Sequence, residues 1–172
     1  WASNVAAVLV AWYPGQENGR ALAAVLCGDV NPSAKLPMTF PAYADEVPAN
    51  TAAQFPGVKG RSAYSEGLLM GYRWYDANDV TPLFPFGHGL SYTTFGYSNL
   101  VVGTVSTSGQ VQIGFDLTNT GFRAGAEVAQ LYLGFPAAAG EPPKQLKAFQ
   151  KIALLAGQGQ HVTFNLDWKD LA

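Results

Sequence analysis

Cysteine, charge and long apolar runs are all scarce in this chain of 172 residues. A single cysteine, Cys27, excludes an internal disulfide and a metal site built from several cysteines, and its apolar helical position predicts a small core residue. Only 13% of the residues are charged and the net charge is −2, which argues against a nucleic-acid partner. No stretch reaches the roughly 20 apolar residues of a membrane span, so we expect no membrane partner either.

The first half of the chain has the pattern of a strand followed by a helix. Residues 5–12 (VAAVLVAW) form a continuous apolar run, which predicts a strand buried on both faces. The apolar spacing of residues 16–27 predicts a helix, with Gly28 as its C-terminal cap. Residues 41–62 predict a long surface loop near a substrate entrance. Residues 64–75 predict a further strand after a short turn.

The stretch at residues 81–95 (TPLFPFGHGLSYTTF) separates this pattern from a different one. It is too rich in proline, glycine and aromatic residues for a regular helix or strand, and it predicts a buried connector. We therefore place a domain boundary at its end, between residues 1–95 and residues 96–172.

Alternating strands follow the connector. Val111, Ile113, Phe115 and Leu117 are separated by polar or small neighbours, which predicts a strand with one buried face. Similar short runs continue to the end of the chain and make about five strands, whereas a fibronectin-like sandwich has about seven. The predicted fold class is α/β followed by all-β, with a partial α/β sandwich joined to an incomplete β-sandwich.

Four runs of the sequence are recognisable together. They are PGQENG at residues 14–19, GDVNPSAKLP at residues 28–37, GYRWYD at residues 71–76 and PLFPFGHGLSYTTF at residues 82–95. In this order and spacing they closely resemble the C-terminal region of glycoside hydrolase family 3, which contains β-glucosidases and β-xylosidases. The sequence after residue 95 resembles the fibronectin type III-like domain of that family, so the resemblance covers essentially the whole chain.

The resemblance implies a retaining β-glycosidase that hydrolyses terminal non-reducing β-D-glycosyl residues. In the family the nucleophilic Asp lies in an N-terminal barrel, and the acid/base Glu lies upstream of the segment that matches residues 5–12. We therefore assign no catalytic residue here and expect this segment alone to be inactive, with neither a metal nor an organic cofactor. The expected partners are the remainder of the same protein and, through it, a β-glucoside or oligosaccharide substrate.

The ends and the composition of the chain add two expectations. The sequence does not begin with Met, and we expect further sequence before Trp1. Few charges and many small residues fit a secreted or periplasmic protein, with a cytoplasmic location left open.

Carboxylates are the first candidates for chemistry, because glycoside hydrolysis needs two of them facing each other. Glu66 is the most notable, although a salt bridge, for example with Arg73, is the favoured interpretation. None of the twelve acids in the chain has a setting that marks it as catalytic; among them, Asp45 and Glu46 are predicted to be solvated, and Asp76 and Asp79 to lie in a turn.

Histidines and aromatic residues are the second group of candidates. We predict that His88 has a structural role and that His161 is exposed. Two histidines so far apart in the sequence do not indicate a zinc site. Four aromatic residues could stack on a sugar or complete a core, so substrate-binding residues stay unknown: Trp12, Tyr13, Trp74 and Tyr75. A non-catalytic carbohydrate-binding or adhesion module is the alternative function.

Overall fold

The computed structural model describes residues 2–171, so the expectation about Trp1 lies outside the described residues. Short 3-10 helices occur at Ala2–Asn4, Gly15–Glu17 and Ala137–Ala139. Three α-helices and five strands follow one another along the chain: α1 (Asn18–Leu26), α2 (Tyr72–Asn78), β1 (Phe95–Val102), β2 (Val111–Asn119), β3 (Gly125–Gly134), β4 (Lys144–Leu154), β5 (Gly159–Leu166) and α3 (Trp168–Leu171). Within residues 2–171, no helix is both long enough and apolar enough to cross a membrane.

Residues 2–80, which we call the front segment, contain α1 and α2 but, as far as they are described, no strand longer than an isolated bridge. The predicted strand at residues 5–12 is wrong: this run has no partner strand, and Leu9 is 47% exposed. A parallel strand forms only between neighbours that satisfy its backbone groups on both sides. The apolar run is present, but nothing in the described chain pairs with it.

The helix predicted at residues 16–27 is confirmed as α1, preceded by the 3-10 turn Gly15–Glu17. Two backbone hydrogen bonds cap its C-terminal end: the N–H of Cys27 donates to the carbonyl of Ala23 at 2.8 Å, and the N–H of Gly28 donates to the carbonyl of Val25 at 3.0 Å. Gly28 has a φ of +84°, a left-handed conformation that favours glycine at this cap. Cys27 is exposed, so its assignment to a core is wrong.

The strand predicted at residues 64–75 is also wrong, because the end of that stretch begins helix α2. Gly71, with a φ of +54°, precedes the helix, and Asp79 ends it in the left-handed conformation. Tyr72 and Asp76 lie one helical turn apart and therefore share a face. Both side chains contact strand β4: the Tyr72 hydroxyl accepts from the N–H of Leu146, and Asp76 pairs with Lys144.

The five strands form a two-layer β-sandwich, which we call the sandwich. One sheet has the order β1-β2-β5 and the other consists of β3 and β4, and all pairs are antiparallel. The alternation predicted for β2 is confirmed, since Val111, Ile113, Phe115 and Leu117 are all buried. The main core contains residues from both sheets: Phe115, Leu117, Ala129, Ile152, Leu154, Val162 and Phe164.

The two sheets do not close over each other completely. A cavity of about 570 Å³ opens between them and is lined by apolar side chains such as Ile113, Leu131 and Leu166. In the described part of the chain β3 pairs only with β4, so its other edge is free. The predicted count of five strands is therefore confirmed in the described part of the chain.

Leu117 is the residue whose truncation should test this core. It is fully buried (0% exposed), whereas Leu100 on β1 is 69% exposed. We expect Leu117→Ala to lower the free energy of unfolding by about 2–5 kcal/mol through lost burial and a new cavity, and Leu100→Ala to change it by less than about 0.5 kcal/mol. Urea unfolding followed by tryptophan fluorescence measures both, and equal losses would contradict the assigned core.

Candidate functional site at the junction

Residues 81–95, which we call the junction segment, hydrogen-bond with both halves of the molecule. On the front side, the N–H of Leu36 donates to the carbonyl of His88, and the N–H of Gly87 donates to the carbonyl of Leu36, each at 2.8 Å. On the sandwich side, the side-chain amide of Gln130 donates to the carbonyl of Gly87 at 3.1 Å. The segment is thus a connector held on two sides, as its composition predicted. It is not buried, however, since Leu90 is 77% exposed and Tyr92 is 47% exposed.

Asn119, at the end of β2, attaches the junction segment to the sandwich. It is 0% exposed, and its Oδ1 accepts from the hydroxyl of Thr93 at 2.7 Å and the N–H of Gly121 at 3.1 Å. Its Nδ2 donates to the carbonyls of Arg123 at 2.8 Å and Leu154 at 3.2 Å. All the hydrogen-bonding capacity of this buried amide is therefore used, on the junction segment, the β2–β3 turn and the end of β4.

A second asparagine, Asn31, makes the equivalent attachment from the front segment. Its Nδ2 donates to the carbonyl of Ala124 at 3.0 Å, and its Oδ1 accepts from Ser91 at 2.9 Å and from the N–H of Tyr92 at 2.8 Å. The hydroxyl of Tyr92 reaches the carbonyl of Val25 at the end of α1 at 2.8 Å. The front segment, the junction segment and the sandwich are therefore linked by side-chain amides.

Two ion pairs cross from the front segment to the sandwich. Lys35 Nζ lies 3.0 Å from Glu127 Oε2, with the two side chains only 16% and 14% exposed, and it also donates to the carbonyl of Gly89 at 2.7 Å. Lys144 Nζ lies 3.1 Å from Asp76 Oδ1, at a more exposed position. Both pairs border a cavity of about 430 Å³ between the two halves, which we call the junction cavity.

Aromatic rings form the rest of the junction cavity wall. The ring of Tyr72 stacks on Phe86 with centroids 4.9 Å apart and meets Tyr132 edge-on at 5.8 Å. The Tyr72 hydroxyl accepts from the N–H of Leu146 at 2.8 Å. Burial, followed by the nearby Tyr72 and Asp76, raises the pKa of Tyr132 to about 12, so its hydroxyl stays protonated and donates to Gln130 Oε1 at 2.8 Å.

The candidate carboxylates occupy different environments. Glu66 accepts a hydrogen bond from Gln54 at 3.2 Å, and the expected salt bridge with Arg73 is not formed. Asp45 is exposed as predicted, but Glu46 has one carboxylate oxygen buried without a partner in the described chain, so its assignment as solvated is wrong. Residues 2–171 contain no group of three or more metal-ligating side chains of the His, Cys, Asp or Glu type.

The other two candidate acids, Asp76 and Asp79, both lie at helix α2 but differ in secondary structure and in exposure. Asp76 was predicted to lie in a turn, but it belongs to the helix and forms the ion pair with Lys144. Asp79 ends the helix and is exposed. Only the second of these positions is therefore a turn.

The histidines have structural and surface environments. His88 stacks on Phe84 with ring centroids 5.5 Å apart. His161 is exposed as predicted, and its Nδ1 lies 2.7 Å from Asp116 Oδ1, whose other oxygen accepts from Asn99 at 2.7 Å. No local pattern predicts this cluster, because its three members come together only through the registers of β1, β2 and β5.

The four aromatic candidates are split between surface and interior. Tyr13 is 99% exposed and Trp12 is half exposed, with its ring 6.4 Å from Phe40. Tyr75 is buried and packs edge-on against Trp74 at 5.2 Å. The hydroxyl of Tyr75 donates to the carbonyl of Glu46, and burial, followed by the charge of Glu46, raises its pKa. Tyr75 is thus a core residue and is not available to stack on a sugar.

The fold and the junction correspond to those of known proteins. Residues 1–92 match the glycosyl hydrolase family 3 C-terminal domain, and residues 127–172 match a fibronectin type III-like domain. The chain therefore belongs to glycosyl hydrolase family 3. It is 44% identical, over its whole length, to the thermostable beta-glucosidase B of Acetivibrio thermocellus, and 42% identical, over 96% of its length, to a beta-glucosidase of Bacteroides ovatus.

Solved structures agree with this assignment. The beta-glucosidase 3B of Thermotoga neapolitana, crystallised with glucose, superposes on the whole chain with a TM-score of 0.93 at 40% identity. The chain covers 24% of that structure and 23% of each of the two relatives named above. It corresponds to the C-terminal part of these beta-glucosidases, and the resemblance found in the sequence is confirmed.

Asn119 provides the sharpest test of the junction. We expect Asn119→Ala to lower the free energy of unfolding by about 3 kcal/mol or more, because it leaves several buried groups without hydrogen-bond partners. Asn165→Ala is the matched control, since this asparagine is exposed on β5 and bonds only the side chain of Gln112 at 3.2 Å. Urea unfolding compares the two, and an Asn119 variant as stable as the control would exclude a central role for this amide.

The Asp116 cluster predicts a pH dependence of stability. The hydrogen bond from Asn99, and next that from His161, lower the pKa of Asp116. A carboxyl whose folded-state pKa is lowered stabilises the fold above its unfolded-state pKa, and this stabilisation is lost as the pH falls through the folded-state pKa. Asp116→Asn should therefore unfold at a lower temperature than the parent chain near neutral pH, and this difference should disappear as the pH falls through the folded-state pKa of Asp116.

A second substitution serves as a check on that cause. Asn99 has a φ of +54°, so Asn99→Gly removes its side-chain amide without backbone strain. Like Asp116→Asn, this variant should show a smaller change of unfolding temperature with pH than the parent chain. Thermal unfolding across the acid range measures both variants. A destabilisation by Asp116→Asn that is constant with pH would show that the lowered pKa is not its origin.

Proposed function

We propose that this chain is the C-terminal segment of a longer, β-glucosidase-like enzyme that hydrolyses terminal non-reducing β-D-glucosyl residues with retention of configuration. The observation that carries the proposal is the match to the Thermotoga neapolitana enzyme, which extends over 100% of this chain but only 24% of that structure. A chain that aligns from end to end with one part of its relatives is expected to perform the work of that part. The match of residues 1–92 to the family's own domain favours this function over a free-standing carbohydrate-binding or adhesion module.

Within the proposed enzyme, the function of this chain is to support the part that contains the two catalytic carboxylates. Retaining hydrolysis uses two carboxylates about 5 Å apart, one as nucleophile and one as acid/base. The side-chain carboxylates at the junction are instead paired with Lys35 and Lys144, and Glu66 is held by an amide. We propose that the nucleophile and the acid/base lie in sequence outside this chain, and that the junction holds the sandwich in a fixed position relative to them.

The remaining assignments follow from the same proposal. The division into residues 1–95 and residues 96–172 stays a prediction, as does a secreted or periplasmic location. The partners are the remainder of the polypeptide, including an N-terminal barrel, and a β-glucoside or oligosaccharide substrate bound by the whole enzyme. The chemistry proceeds through a covalent glycosyl-enzyme intermediate formed by carboxylates, for which neither a metal nor an organic cofactor is proposed.

Hydrolysis of p-nitrophenyl β-glucoside tests this function. A sample whose mass matches residues 1–172 alone should give no turnover above buffer, since it contains neither catalytic carboxylate. A polypeptide that also includes the upstream coding sequence should be active, and Glu66→Gln within it should keep most of that activity. Turnover by the chain alone, abolished by Glu66→Gln, would show that the catalytic machinery is here and would overturn the proposal.

A further inference from the structure

The front segment contains a long loop, residues 41–70, which we call the excursion loop. The described chain has no helix or strand between the end of α1 and the start of α2, and inside the loop the backbone forms only an isolated bridge, between Val58 and Arg61. Loops of this length without secondary structure of their own are usually either functional or disordered. The internal hydrogen bonds of the excursion loop distinguish these two cases.

The excursion loop is ordered by contacts that it makes with itself. The N–H of Ala63 donates to the carbonyl of Ala53 at 2.8 Å, which closes the loop on itself. The side-chain amide of Gln54 donates to the carbonyl of Pro48 at 3.1 Å and to Glu66 Oε2 at 3.2 Å. The chain itself therefore fixes the direction in which the side chains of the loop point.

Large apolar side chains point outward from this ordered loop. Six of them are more than half exposed: Tyr43, Phe55, Val58, Tyr64, Leu68 and Met70. The most exposed are Tyr64, at 80%, and Phe55, at 74%. Aromatic residues and methionine are enriched at the buried centres of protein interfaces, and exposed apolar surface that is concentrated in one place marks an interaction site. The excursion loop therefore has the composition and the order of a protein contact surface.

The position of the excursion loop indicates which protein it contacts. The loop follows Phe40, whose ring centroid lies 6.4 Å from that of Trp12, at the end of the apolar run of residues 5–12. In the proposed longer enzyme, the preceding polypeptide therefore reaches the front segment beside this loop. The remainder of such an enzyme is large, since the chain covers only 24% of the Thermotoga neapolitana structure.

We propose that the excursion loop packs against the part of the longer enzyme that precedes residue 1, with Phe55 and Tyr64 among its buried contacts. This inference rests on the proposed function, because only a longer polypeptide supplies that partner. The front segment then has two different attachments. Side-chain amides and ion pairs at the junction hold the sandwich, and apolar packing of the excursion loop holds the part that contains the catalytic carboxylates.

Hydroxyl-radical labelling followed by mass spectrometry tests this contact without any substitution. It is applied to the chain of 172 residues and to a polypeptide that also includes the upstream coding sequence. We expect Phe55 and Tyr64 to be oxidised about tenfold more slowly in the longer polypeptide, because side chains at the centre of an interface are shielded from solvent.

Trp168 is the matched reference for this labelling. It is 60% exposed and lies against Gly109, before the start of β2, whereas the junction is attached at the other end of that strand. Its rate of oxidation should be the same in both polypeptides.

Two results would overturn the proposal. One is equally fast oxidation of Phe55 and Tyr64 in both polypeptides. The other is protection that appears only as the protein concentration is raised, which would identify a second copy as the partner. Hydrolysis of p-nitrophenyl β-glucoside judges the proposed function separately: a protected loop in an inactive longer polypeptide would overturn the function and support the contact, and an unprotected loop in an active one would do the reverse.

A substitution checks that the contact stabilises the longer enzyme. Phe55→Ser should leave the unfolding temperature of the isolated chain unchanged, since the ring is mostly exposed there, and should lower that of the longer polypeptide by about 2 °C or more. Phe149→Ser is the matched control, because this ring is 68% exposed on β4 of the sandwich, and it should change neither temperature. A loss of equal size in both polypeptides with Phe55→Ser, or a loss in neither, would contradict the assigned contact.

Discussion

The buried amide of Asn119 is the interaction on which the rest of the structure depends. It is the last residue of β2, yet its side chain reaches the junction segment at Thr93 and the end of β4 at Leu154. Its backbone also bonds the β4–β5 turn, donating to the carbonyl of Gln158 at 2.9 Å and accepting from the N–H of Gly157 at 3.0 Å. A fully buried amide is costly unless every group is paired, so this residue fixes one arrangement of both sheets and the connector.

Backbone proximity explains the composition of the junction segment. The position of Gly87 is occupied on its side-chain side by Gln130, and that of Gly89 by the carbonyl of Ala34, so a Cβ at either residue would collide with its neighbour. The carbonyls of the same two glycines accept hydrogen bonds from Gln130 and Lys35. Side chains and isolated backbone contacts, such as those of Leu36, thus serve as the partners of this backbone and satisfy these polar groups without a helix or a sheet.

The parts of the fold that were predictable from sequence are those decided by local periodicity. The alternation of β2 and the apolar spacing of α1 each depend on neighbours within one element, and both are confirmed. The strand prediction for residues 5–12 is wrong because a buried strand depends on partner strands that the described chain does not supply. The strand prediction for residues 64–75 is wrong because Tyr72 and Asp76 pack against the sandwich from a helix that begins after Gly71.

The candidate site shows the same division. The recognisable runs identified the family, and the junction segment was located correctly as a connector, because composition alone marks it. The partners of its side chains could not be predicted, since Lys35 and Glu127, or Asn31 and Ala124, are about 90 residues apart in sequence. Contacts of that separation depend on the relative position of the two halves, which no local pattern encodes.

The two halves of the described chain differ in how many of their buried side-chain polar atoms lack a hydrogen-bond partner. Thr39 Oγ1, Glu46 Oε2 and Asp76 Oδ2 are buried without hydrogen-bond partners, and all three belong to the front segment. The sandwich, as far as it is described, contains none, so its polar groups are satisfied by the chain itself or by solvent. Because an unpaired buried oxygen is unfavourable, it indicates a place where water, a ligand or another part of the protein completes the structure. Among the described residues, the sandwich is therefore the half whose buried side-chain polar atoms are all satisfied, and the front segment is the half with unfilled hydrogen-bonding capacity.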